Sequence, residues 1–124
     1  MLRFVERQTA FTLKTTTCVQ TYRDFLMSEG GMVLFNSTCM CLQTIGETIR
    51  KVDDLTAGRL FVLYPTTPWK KVIGMRNIIS HEYLSVDPQV IFATVKVRLS
   101  PLLADLRRVL ADIDNGLLER LGKE

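Results

Sequence analysis

The chain has 124 residues and a single histidine, His81. Cysteine is scarce and odd in number: Cys18, Cys39 and Cys41. No His or Cys stands at zinc-ligand spacing, which excludes a structural zinc site, and an odd count argues against a disulfide framework. The three thiols read as reduced core residues inside apolar helical patterns, in keeping with a reducing, cytoplasmic setting. No apolar run reaches 18 residues, so a membrane-spanning helix is excluded. The opening stretch MLRFVERQTAF lacks the apolar segment of a secretory signal, and none is expected. Polybasic runs, repeats, low-complexity tracts and an acidic cluster at magnesium spacing are all missing. So is strand-like alternation, which leaves helices.

What is present is ordinary for a globular domain: 47% hydrophobic and 23% charged residues. The length suits one domain, residues 1–124, with a core of its own. A net charge of +3 and a pI near 8.9 permit an acidic partner such as RNA without implying one.

Apolar spacing predicts four helices. The first runs from about Leu2 to Ser28, on Phe4, Phe11, Cys18 and Phe25 at seven-residue intervals, with Val5, Tyr22 and Leu26 beside them. Thr15, Thr16 and Thr17 are poor helix formers within it, because branched side chains lose rotamer freedom there. SEGG at 28–31 is the break. The second helix runs from about Met32 to Ala57 on Phe35, Leu42, Ile45, Ile49 and Val52, with Gly58 as its stop. Gly46 inside it costs roughly 1 kcal/mol against alanine, which close approach of another backbone would justify. Thr67 and Pro68 start a third helix ending near His81 or Tyr83. Asp87 and Pro88 start a fourth, carried by Val90, Ile91, Val95, Leu99, Leu102, Leu106, Val109, Leu110 and Ile113, with a kink or short break near Ser100 expected from Pro101. Leu117 to Leu121 adds a short turn. The expected fold is an all-α, up-and-down four-helix bundle with a short C-terminal extension.

The third helix holds the chemistry. Trp69, Val72, Arg76, Ile79 and Tyr83 follow a core stripe, so Arg76 stands where an apolar residue belongs. Asn77 and His81 are four apart and share a face, within reach of the arginine. A guanidinium fork matches phosphate oxygens, and imidazole moves protons near neutral pH. Metal-free cleavage of RNA through its own 2′-hydroxyl needs those groups and no cofactor. It usually also needs two proton-transfer groups. One histidine per chain therefore points to a two-fold dimer. The structural alternative is a buried Arg76 paired with Glu47.

The stretch PTTPWKKVIGMRNIISHEYLSVDPQVIF resembles the HepT-like branch of the HEPN superfamily: Pro68-Trp69, Gly74-Met75-Arg76-Asn77, Arg-x4-His-x-Tyr, and Val86-Asp87. TIGETIRKV resembles that family's Ile-Gly-Glu-Ala segment. Together they cover roughly Thr44 to Leu106. Thr48 stands where alanine is usual and Phe92 where many relatives carry tryptophan. The resemblance implies a homodimeric helical bundle and a metal-independent endoribonuclease, the toxin of a toxin–antitoxin pair. Its partner would be a minimal nucleotidyltransferase that silences it by transferring AMP to the motif tyrosine. Carried over, Arg76 stabilises the phosphate, His81 transfers protons, Asn77 supports the arginine and Tyr83 accepts AMP. Glu47 matches the family's glutamate and is read as a structural partner of Arg76. The other function class is a non-catalytic nucleotide-binding or adaptor subunit of a nucleotidyltransferase complex, which predicts partner binding without RNA cleavage.

Overall fold

The computed structural model describes residues 1–81 and 86–122, the side chains of 78–81 excepted. Four long helical segments form the body: α1 (Leu2–Thr15), α2 (Glu29–Leu55), α3 (Trp69–His81), and a rod made of α4 (Pro88–Ala93), a π-helical stretch (Thr94–Arg98) and α5 (Leu99–Asp114). A last short helix, α6, spans Leu117–Gly122. No strand occurs among the described residues, so the all-α expectation holds.

The first helix is shorter than its periodicity suggests. It stops at Thr15, and a 3-10 turn, Tyr22–Phe25, replaces the rest of the predicted span. The threonines are the reason. The Thr12, Thr16 and Thr17 hydroxyls donate back to the carbonyls of Gln8, Thr12 and Leu13 at 2.8, 2.7 and 3.3 Å. Such bonds compete with the backbone ladder and loosen a helix end. Asp24 then accepts from the amides of Gln20 and Thr21 at 2.8 and 3.1 Å and fixes the turn. The buried stripe of α1 matches the predicted one only at Val5. Leu2, Val5, Thr9 and Thr12 face inward, whereas Phe4 and Phe11 are 39% and 50% exposed. Of the seven-residue track itself only Phe25 reaches the core; Leu26 beside it is 50% exposed, and Cys18 is exposed rather than buried. Cys39 and Cys41 are buried, and burial pushes the Cys39 thiol up to about 11.

SEGG is a helix start. Ser28 caps α2 by accepting from the Gly31 amide at 2.9 Å, and a Cβ on Gly31 would lie 2.1 Å from the Asp24 carbonyl oxygen. Leu42, Ile45, Ile49 and Val52 form the buried face of α2 as expected, with Phe35 half-buried. Gly58 adopts φ +73 just beyond the helix end, the left-handed conformation that suits glycine.

Helix α2 is central, packed on α1 and on α3, and α5 closes against α1. Arg3 pairs with Asp114 at 3.2 Å and Arg107 with Glu6 at 3.2 Å, while Lys96 Nζ donates to the Thr16 carbonyl at 3.0 Å. Rising numbers on α1 thus meet falling numbers on the rod, so the two run antiparallel. Lys96 also supplies positive charge at the carbonyl-rich end of α1.

Asp87 caps α4 by accepting from the Gln89 amide at 2.8 Å, with Pro88 following, as expected. The predicted kink near Ser100 takes the form of the π-helical stretch immediately before α5. Pro101 has no N–H to give the carbonyl four residues back, at Val97. The chain absorbs that loss as one wide turn within a continuous rod.

Candidate active site

Gly46 positions the site. A Cβ there would lie 3.0 Å from the Arg76 amide nitrogen, 3.0 Å from the Val72 carbonyl oxygen and 3.2 Å from that of Ile73. Backbone therefore meets backbone where α2 crosses α3, and only glycine leaves the room. The contact sets Arg76 opposite Glu47, the residue after the glycine. The two side chains line one depression of about 410 Å³ together with Arg50, Lys51 and Asp54. Both are half-buried. The expected ion pair is not closed: no salt bridge within 4.0 Å joins Glu47 to Arg76, and Arg76 pairs with no carboxylate among the described residues. Its fork remains available to an anion.

Helix α3 is anchored at its start. Trp69 is buried, stacks on Phe61 at 4.2 Å and 23°, and donates its indole N–H to the Tyr64 carbonyl at 2.8 Å. Val72 and Met75 bury the same side. Before Trp69, the Thr67 hydroxyl, read from the sequence as a helix cap, donates to Asp105 of α5. Thr66 donates to the same carboxylate at 2.9 Å, and Arg108 reaches its other oxygen at 3.0 Å. The Tyr64 hydroxyl donates to Asp112. Burial, then that carboxylate, push the Tyr64 phenol up to about 12.

Asn77 is exposed, one residue beyond Arg76. His81 lies within α3, four residues from Asn77 and five from Arg76, so the helix holds the motif at fixed register. The His81 side chain and the whole of Tyr83 lie outside the described residues. No cluster of three or more His, Cys, Asp or Glu side chains suited to a metal ion occurs among the described residues. No described helix is long and apolar enough to cross a membrane.

Arg50, Lys51 and Asp54 escaped the sequence reading. Their signal was available, since positions 47, 50, 51 and 54 share one face of α2. What was missing was the knowledge that this face borders Arg76. The clamp of Asp105, Thr66, Thr67 and Arg108 also escaped, because its members lie 38 and 39 residues apart across the loop–α5 contact.

An all-α body with an Arg-x4-His helix crossing a Gly-Glu segment defines a HEPN-like helical protein. The chain matches the family described as Ribonuclease HepT-like over residues 8–109, and it belongs to that family. It is similar to two proteins of Methanocaldococcus jannaschii named Putative RNase MJ1216 and Putative RNase MJ0125. They are 28% and 27% identical to it over 74 residues, 60% of this chain, and 58% and 60% of their own lengths are covered. A third, Putative RNase MJ1380, is 33% identical over 75 residues, with 60% of this chain and 62% of the relative covered. The chain thus spans about six-tenths of the curated relatives it matches. No solved structure matches it significantly.

Proposed function

We propose that the protein is a metal-independent endoribonuclease that acts in the cytoplasm as the toxin of a toxin–antitoxin pair. Membership of the HepT-like ribonuclease family supports the reaction class. The observation that carries the reading is the Gly46 crossing, beside which Arg76, on the helix bearing His81, lines a depression without an ion pair to any carboxylate among the described residues. Arg76 binds the scissile phosphate and stabilises the charge that grows on it. The 2′-oxygen attacks phosphorus and its proton passes to a base. The P–O5′ bond breaks, and the departing oxygen takes a proton from an imidazolium. A cyclic 2′,3′-phosphate remains on one product and a free 5′-hydroxyl on the other. His81 serves one proton transfer and the second copy's histidine, brought by a homodimer, the other. Asn77 supports Arg76. A cognate minimal nucleotidyltransferase silences the enzyme by placing AMP on Tyr83, whose phosphate then competes for Arg76.

The test is cleavage of RNA by purified protein in EDTA. Wild type is expected to cut and His81→Ala to lose about 10²–10⁴-fold in rate, the usual range for a proton-transfer residue. Activity abolished by EDTA sinks the metal-free route, and equal activity in His81→Ala sinks the role of that residue. A Tyr83→Phe protein silenced as well as wild type by its partner overturns the AMP switch.

A further inference from the structure

The depression around Arg76 extends past the point of catalysis. Arg50 and Lys51 of α2 line it as well, and both are exposed. Lys51 lies five residues beyond the Gly46 crossing, roughly 7.5 Å along the helix at about 1.5 Å per residue. Lys51 forms no ion pair among the described residues. Arg50 meets Asp54 at a loose 3.9 Å, with side chains 50% and 72% exposed. Exposed pairs of that kind contribute little and exchange readily. Three cations and two carboxylates, Glu47 and Asp54, therefore share the depression, with Arg76 supplied by α3 and Arg50 and Lys51 by α2.

Resting on the endoribonuclease reading, we infer that Arg50 and Lys51 form a second phosphate subsite. It grips the phosphodiester next to the scissile one in single-stranded RNA. The distance from the crossing is comparable to the step between successive phosphates of an extended strand. A positively charged groove that follows the backbone is the usual way to hold such a strand. Lys51 binds directly, and Arg50 exchanges Asp54 for the phosphate. Glu47 and Asp54 lower the net attraction, so the subsite sets register more than overall affinity.

The test uses a labelled single-stranded oligoribonucleotide and the purified full chain. Binding is followed by fluorescence anisotropy across a salt series, and cleavage is measured in parallel. Lys51→Ala and Arg50→Ala are each expected to weaken binding up to tenfold. Each should flatten the slope of log K against log salt by about 0.7, the counterion release of one single-strand phosphate contact. KM rises and kcat stays within about twofold. Arg7→Ala, on the exposed face of α1, leaves the slope unchanged. Wild-type slopes in both variants overturn the subsite, as does a loss confined to kcat. A wild-type protein that cleaves nothing defeats the endoribonuclease reading alone, because the binding slopes still decide for or against the subsite.

Discussion

Single atoms decide the site. Gly46 is one, because the methyl group of alanine would press within 3.0 Å of backbone on α3. Overpacking of this kind costs about 1–3 kcal/mol, partly offset by the roughly 1 kcal/mol that alanine contributes inside a helix. Gly46→Ala is expected to lower stability by about 1 kcal/mol in urea melts. It should lower RNA cleavage by at least tenfold, because α3 must move away and take Arg76 with it. Cleavage at the wild-type rate would show that the crossing does not position the arginine. Tyr64 offers a second residue-scale test. Its phenol is raised to about 12, so the fold holds that proton more tightly than the unfolded chain does. The stabilising contribution is fully present below about pH 10 and is lost as pH rises toward 12. Tyrosinate absorbance should show Tyr22 ionising early, since the neighbouring Arg23 guanidinium, 5.7 Å over its ring, favours the ionised form. Tyr64 should ionise after Tyr22. Tyr64→Phe should remove the late phase, and a late phase that persists would assign it to another tyrosine.

At the scale of elements, the start of α3 depends on a carboxylate far away in the chain. Asp105 is 6% exposed and gathers Thr66, Thr67 and Arg108. It ties the loop before α3 to α5. Asp105→Ala leaves those donors without their acceptor and is expected to cost about 2–4 kcal/mol by chemical denaturation. A variant within 0.5 kcal/mol of wild type, a band of roughly the size seen for surface substitutions, would show the clamp to be incidental. Helix boundaries follow a similar logic. Apolar period seven marked Phe4 and Phe11 as inward along with Val5, yet of these only Val5 is buried, with Leu2, Thr9 and Thr12 completing the inward face. Large aromatics at helical spacing look like a core stripe in any sequence. Which stripe faces inward depends on where α2 and α5 lie.

At the scale of the whole molecule, the proposed chemistry asks for two histidines and each chain has one. The proposed dimer rests on that count. Sedimentation equilibrium should give twice the mass of 14.1 kDa at working concentrations. Specific activity should fall on dilution through the dissociation range. A monomer that cleaves RNA at full specific activity would overturn the shared site.

The sequence alone determined the helices, most of their inward faces and the motif. These are local properties: the 3.6-residue period, the Asp87 region at a helix start, Gly58 past an end, and Arg76, Asn77 and His81 at fixed offsets along one helix. It also pointed to Gly46 as a place of close approach, because glycine inside a helix carries a cost that needs a reason. Tertiary structure decided the rest. It ended α1 at Thr15, where threonine hydroxyls captured backbone carbonyls. It left Glu47 and Arg76 facing one depression without joining them, and it brought Arg50 and Lys51 to the same place. Those outcomes depend on distances between segments far apart in the chain. Periodicity within one segment carries no information about them.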